Sequence, residues 1–331
     1  MDNKISRRSL LRTGAALVAA SGMEANQQPA PGQIRFGLIA DVHHYRMPGA
    51  QDRLRSFLSE ANRRPLDFLI QLGDLCDGYK AQLTSEQKEF VADWHSARLP
   101  KYNVLGNHEM DHGSKQQIMD VLHMPKSYYS FDMRGFHFVV VDCMHLLENG
   151  KIIDYVEGNY FRHTANEINL IDPEQLEWLK ADLNATQFPT IVFAHPCINA
   201  FWAKGAETTR ANVREALSMA NEQAGWQKVI ACFTGHHHLD YLSEWKGVNY
   251  FMVNSASYYW VGEKFGSMAK YEDALYTFVT IDHAGSIQVE GKSSVFLPPT
   301  PADLKFPDAA MLSASIAPRS VSFVRSKQFA G

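Results

Sequence analysis

The sequence predicts a mixed domain of strands and helices whose chemistry sits at strand tips. Three observations lead there. Short apolar runs, rich in β-branched and aromatic residues and closed by Gly or Pro, recur along the chain and read as buried strands. Amphipathic stretches of helical period separate several of them. Five runs also end in groups that bind metals: Asp41-Val42-His43, Gly73-Asp74, Gly106-Asn107-His108-Glu109, His195 and Gly235-His236-His237-His238.

At 331 residues, with 45% hydrophobic and 21% charged content, the chain can bury the core of one large domain or two small ones. A formal charge of −4 leaves no basic footprint for general nucleic-acid binding. The segment Ser6-Arg7-Arg8-Ser9-Leu10-Leu11-Arg12, followed by the apolar run from Ala15 to Ala20, reads as a twin-arginine signal peptide. The expectation is that residues 1–25 are removed and that the precursor uses the Tat machinery to reach the periplasm or another extracytoplasmic site. No other stretch suits a transmembrane helix, and nothing specifies an oligomeric state. Cys76, Cys143, Cys197 and Cys232 lack the C-x-x-C spacing of a zinc knuckle or redox dithiol, so free buried thiols are expected.

Past a polar lead-in around Pro31 to Gln33, the run Ile34 to Ala40 reads as a central strand covered on both faces. In extended chain i and i+2 point the same way, so Asp41 and His43 can share a cation while His44 turns to the rim. A helix over residues 51–62 presents Leu54, Phe57 and Leu58 on one face, and Leu66 to Leu72 is the next buried strand. Asp74 at its tip is the natural bridge, because two carboxylate oxygens can serve two cations. Asp77 is either an acceptor behind a ligand or a plain turn residue. A helix over 85–98 leads to the strand ending at Gly106-Asn107-His108-Glu109. His108, beside Asn107 but pointing elsewhere, can protonate a leaving group.

A short helix over 114–122 precedes a hairpin, Tyr128 to Phe131 against His137 to Val141, around Met133-Arg134-Gly135. His137 reads as a strand histidine. Residues 145–170 show no sustained periodicity, and a loop of that length reads as a lid over the crevice. Arg162 and His163 within it are candidates for phosphate or leaving-group contact. Asp172 and Pro173 start a helix to Leu183, and Thr190 to Ala194 is a strand ending in His195. After a helix over 209–220, the strand Lys228 to Phe233 reaches the histidine triplet, with His236 and His238 facing the crevice and His237 turned away. A hairpin around Lys246-Gly247 follows. In the aromatic stretch beyond it Tyr258 is a candidate for stacking on a base or sugar. Tyr276 to Ile281 and Ile287 to Glu290 supply the last strands of a domain placed at 33–292, and 293–331 read as a peripheral tail.

Asp41, His43, Asp74, Asn107, His195, His236 and His238 make a set of nitrogen and oxygen ligands with no thiolate, which suits Mn, Fe, Co, Ni or Zn. Two cations about 3.5–4 Å apart can lower the pKa of a shared water and clamp both the attacking and leaving oxygens of a phosphoryl displacement.

The series Asp-Val-His, Gly-Asp, Gly-Asn-His-Glu, His and Gly-His-His-His resembles the calcineurin-like metallophosphoesterase superfamily over about residues 34–290. The resemblance implies an α+β fold, a four-layer α/β/β/α sandwich with a dinuclear centre at strand-end loops. It implies Asp41, His43 and His238 on one metal, Asn107, His195 and His236 on the other, Asp74 as bridge and His108 as catalytic acid. The reaction implied is cleavage of a phosphodiester or pyrophosphate of a small molecule by a metal-bound hydroxide, with phosphomonoesterase activity as the alternative. A non-catalytic binding protein is a more distant reading. Gln71 to Gln82 and Pro173 to Leu179 are similar to the manganese-dependent ADP-ribose/CDP-alcohol diphosphatases, which makes Mn the first metal to expect, ahead of Fe or Zn. His43 stands where those enzymes often carry Gln. Asp77 stands where purple acid phosphatases place a Tyr, and no Arg follows it as in Ser/Thr protein phosphatases.

Overall fold

Alternation along the strands sets the architecture. Ile34, Phe36 and Leu38 turn to one side, with Phe68 and Ile70 beside them, while Ile39 and Leu69 turn to the other. A strand apolar on both faces must be covered on both. The computed structural model describes residues 32–79, 82–199 and 208–324 and shows that arrangement; the segment expected to be a signal peptide lies outside them.

Along the chain come β1 (Gln33–Ile39), α1 (Ala50–Ala61), β2 (Phe68–Gln71), α2 (Ser85–His95), β3 (Lys101–Asn103), α3 (Lys115–Val121), β4 (Tyr129–Met133) and β5 (Phe136–Val140). Next are β6 (His145–Glu148), β7 (Lys151–Asp154), α4 (Pro173–Ala185), β8 (Thr190–Ala194), α5 (Thr208–Ala224), β9 (Val229–Thr234), β10 (Tyr241–Trp245), β11 (Val248–Met252), β12 (Tyr258–Gly262) and β13 (Ser267–Lys270). The chain closes with β14 (Thr277–Asp282), β15 (Ser286–Val289), β16 (Lys292–Ser293), β17 (Ser315–Ile316) and β18 (Arg319–Ser322).

Two six-stranded mixed sheets, ordered β18-β15-β14-β1-β2-β3 and β10-β11-β9-β8-β5-β4, pack face to face. Aromatic rings lock them: Phe36 stacks on Phe68 at 4.9 Å and meets Phe138, Phe193 and Phe233 edge-on at 6.2, 5.8 and 6.0 Å. Edge-to-face contacts of this kind add roughly 0.5–1.5 kcal/mol each beyond burial. Helices cover the outer faces. Phe57 of α1 lies over Phe278 of β14, and Gly37 lets it come close, since a Cβ there would sit 3.1 Å from the Phe57 ring. Leu179 and Leu183 of α4 and Val213 and Leu217 of α5 close the other side with Val192 and Cys232. The four-layer sandwich is therefore present. β1, β2, β3, β5, β8 and β9 run with parallel neighbours, which brings their C-terminal tips to one end.

Three expectations need correction. Residues 145–170 are not an unstructured loop: β6 and β7 form a hairpin whose turn residues, Asn149 and Gly150, both have positive φ (50° and 76°). The described part of the 293–331 segment, to residue 324, is not peripheral, because β18 extends the first sheet beside β15 and Ile316 and Phe323 are buried in the inter-sheet core. Asp172 precedes α4 but its side chain makes no cap bond, so Pro173 alone marks that start. The four cysteines are free and buried, as expected.

Candidate metal centre

The strand tips converge on one polar cluster. His195 is fully buried at the end of β8, and its Nε2 lies 3.1 Å from Asp74 Oδ2, 3.2 Å from Asn107 Oδ1 and 3.2 Å from His236 Nδ1. His43 Nε2 and His238 Nε2 face each other at 3.1 Å, with Asp41 Oδ1 3.4 Å from the latter. Asp74 Oδ2, 4.0 Å from His43 Nε2, lies between the two groups. Asp41, His43 and His238 thus make one triad of donors, and Asp74, His195 and His236 the other. All seven predicted ligands meet here.

Backbone conformation turns them inward. Asp41, His43, Asp74, His236 and His238 have φ of 53°, 54°, 50°, 68° and 51°, a region costly for residues with a Cβ. The expected extended alternation is therefore wrong in detail: paired left-handed residues, not continuing strand, put i and i+2 on one side. Gly106 is required by proximity. A Cβ there would lie 2.3 Å from both the amide nitrogen and Oδ1 of Asp74.

Hydrogen bonds behind the cluster fix the imidazoles. Nδ1 of His43 donates to Asp77 Oδ1 at 2.7 Å, Nδ1 of His195 to the Leu72 carbonyl at 2.7 Å, and Nδ1 of His238 to the Tyr258 carbonyl at 2.7 Å. With Nδ1 donating outward, each Nε2 presents a lone pair inward. The His43 and His238 lone pairs then oppose each other at 3.1 Å, close to carboxylates. Such a set calls for positive charge in its middle, and its hard and borderline donors fit divalent transition metals. The same demand shows at His195, where burial lowers the pKa but the charge of Asp74 carries it up to about 9.

Two further groups organise the loops. Glu109, fully buried, accepts backbone N–H bonds from Asp74 (3.0 Å), Leu75 (2.6 Å) and Gly106 (2.8 Å), tying two ligand loops together. Burial, then the charge of Asp74, pushes its pKa up to about 7. His108 receives its orientation from both sides: its backbone N–H donates to Asp74 Oδ1 at 2.8 Å and its Nδ1 to Asp111 Oδ2 at 2.9 Å. Burial pulls the His108 pKa down, but Asp74, Asp111 and Asp77 outweigh it and raise it to about 9. Tyr160, from the segment after β7, donates to Asp111 Oδ1 at 2.5 Å and accepts from Asn107 Nδ2 at 3.1 Å. Sequence reasoning did not find Asp111 or Tyr160, because neither has a motif around it.

The remaining candidates are not among the ligand donors. His163 turns to Glu148 and Glu167 of its own segment at 3.8 and 3.7 Å, and Arg162 is exposed. Among the described residues neither bonds to the cluster; Tyr160, two positions earlier, does. Tyr258 is 1% exposed, its ring 5.0 Å from His43 and 4.8 Å from His238, so it supports the ligands from behind and offers no open face for stacking. His44 stacks on Phe90 at 4.1 Å, away from the donors. His137 sits between Asp132 and Asp182 on the outer face of β5, as a strand histidine.

A sandwich that gathers two His/Asp triads around a shared carboxylate defines a metal-dependent phosphoester hydrolase. The model of the calcineurin-like phosphoesterase family matches residues 34–240, and the chain belongs to that family, whose members bind two divalent metals. The chain is 24% identical over 281 residues to the manganese-dependent ADP-ribose/CDP-alcohol diphosphatase of Bos taurus, a match covering 65% of this chain and 81% of that one. The human protein of the same name is 31% identical over 85 residues, 22% of this chain and 25% of its own. Among solved structures, a dimetal phosphatase from Danio rerio superposes with a TM-score of 0.56 at 16% identity, covering 79% of this chain and 96% of that one. GAP50, described as the anchor in the inner membrane complex of Plasmodium, gives a TM-score of 0.56 at 15% identity, covering 89% and 90%. These two likenesses concern the fold.

Proposed function

We propose that this phosphohydrolase cleaves a phosphodiester or pyrophosphate bond in a small molecule, with manganese as its working metal, outside the cytoplasm. The observation that carries the reaction is the pair of donor triads with His108 at their edge. Asp41, His43 and His238 would hold one ion, Asn107, His195 and His236 the other, and Asp74 would reach both. When bound, such ions activate water and offset charge on phosphoryl oxygens. Glu109 keeps the two loops in register, and Asp111 aims the His108 ring so that its Nε2 can deliver a proton to the departing oxygen. The curated relatives' names support a pyrophosphate substrate and manganese. Export rests on the Arg7-Arg8 segment; among the described residues no helix is long and apolar enough to cross a membrane.

The phosphomonoesterase alternative would need extra donors for the terminal phosphate oxygens, such as Arg162 or His163, and among the described residues neither is bonded to the cluster. The test uses mature protein reconstituted with Mn²⁺, comparing bis-p-nitrophenyl phosphate with p-nitrophenyl phosphate and a chelator control. Faster diester hydrolysis is expected, followed by turnover of ADP-ribose or a CDP-alcohol. Preference for the monoester, or activity indifferent to chelator, overturns the reading. For export, Arg7→Lys with Arg8→Lys is expected to leave the precursor inside the cell, as cell fractionation would show.

A further inference from the structure

The group Asp77, His108 and Asp111 places a ligand-sized atom from each residue within 4.8 Å of the others. Two buried carboxylates that close need a cation, and the chain supplies its own. Nε of Arg46 donates to Asp77 Oδ2, and its Nη2 lies 3.9 Å from Asp111 Oδ2. These carboxylates have separate duties. Asp77 receives Nδ1 of His43, and Asp111 receives Nδ1 of His108. Arg46 also belongs to the His43 loop, since its backbone N–H and that of Met47 donate to the His43 carbonyl at 3.2 and 2.9 Å. The guanidinium therefore closes a ring through His43 and Asp77 and extends one arm to the support of His108.

We propose that Arg46 is the positioning residue that sets the His108 imidazole for proton delivery, acting through Asp111 while it anchors Asp77. Its planar fork and permanent charge suit this, and a lysine ammonium can satisfy one carboxylate but cannot span two with the same geometry. Its side chain is one-third exposed on the cluster's rim, beside a 460 Å³ cleft lined by residues 44–52 and Glu86. Arg46 thus links the ligand His43 to the acid His108 without being a ligand itself.

The inference rests on His108 acting as the acid, and its test separates the two. The Mn-loaded enzyme and its Arg46→Met and Arg46→Lys variants would be assayed on bis-p-nitrophenyl phosphate and on diphenyl phosphate, whose leaving group is more basic and needs the proton more. Metal content and thermal midpoint are measured alongside. Arg46→Met is expected to keep its metal and to lose kcat on diphenyl phosphate roughly 10- to 100-fold, with a clearly smaller loss on the activated ester and partial recovery in Arg46→Lys. The double variant Arg46→Met with His108→Ala should lose no more than His108→Ala alone, because residues acting as a unit are non-additive. Equal losses on both esters, multiplicative losses in the double variant, or loss of metal from Arg46→Met would each overturn the role given to Arg46. If wild-type protein shows no chelator-sensitive hydrolysis, the functional reading falls instead.

Discussion

Asp77 accepts the Nδ1 proton of His43 at 2.7 Å, and so decides which nitrogen of that imidazole faces the metal site. The sequence left Asp77 open between this role and a plain turn, and the bond makes it the former. Asp77→Ala should free the ring to change tautomer and weaken metal binding about 10- to 100-fold, the usual cost of losing a partner behind a ligand. Titration of apo protein with Mn²⁺, read by calorimetry, checks this; unchanged affinity would remove Asp77 from the site's design.

His108 stands beside both triads yet is absent from the two proposed ligand sets. His108→Ala is therefore expected to retain metal and fold while kcat falls roughly 10²- to 10⁴-fold. Metal analysis of the purified variant and its kcat on a diester decide the matter. Loss of metal together with activity would make His108 a ligand.

Loss of the Glu109 side chain should cost substantial stability. Three backbone N–H groups from two loops end on its buried carboxylate. Glu109→Ala would leave those donors unpaired in the interior, each at about 1–3 kcal/mol. A large fall in unfolding free energy and a coupled loss of metal affinity are expected, measured by urea denaturation with and without Mn²⁺. A variant as stable as wild type would show that water replaces the carboxylate.

What could be read in advance follows from local chemistry. Thr190 to Ala194 and the Arg134-Gly135 and Lys246-Gly247 turns declare themselves through apolar runs and turn residues, and β8 and the β4–β5 and β10–β11 hairpins stand where expected. The ligand cluster was legible because its residues fall at strand tips in motifs. The β6–β7 hairpin was not, although Asn149-Gly150 is a strong turn signal, because polar His145, Glu148, Lys151 and Asp154 obscure its short strands. Asp111 and Tyr160 were hidden for another reason. Their roles arise only when the segment after β7 folds back onto the Asn107 loop, which no local pattern encodes.

His137 offers a pH test independent of the metal centre. Its Nδ1 lies 2.6 Å from Asp132 Oδ1 and its Nε2 2.9 Å from Asp182 Oδ2, so both ring nitrogens point at carboxylates. Burial lowers its pKa, but the bonds to Asp182 and Asp132 outweigh that and raise it above the ordinary 6.5. A raised folded-state pKa means that folding favours the proton. The stabilisation is thus fully present below the unfolded value and is lost as pH climbs through the folded one. Charge-assisted bonds of this kind contribute about 1.5–3 kcal/mol when both partners are charged. His137→Phe keeps the ring volume but cannot take the proton. Its thermal midpoint should trail wild type most at pH values below the ordinary imidazole value of about 6.5, and the gap should shrink as pH climbs through the raised folded-state value and the wild-type imidazole becomes neutral. Thermal melts of both proteins across that range measure the gap. One that stays constant would mean that the aspartates hold a neutral ring and that burial governs the site.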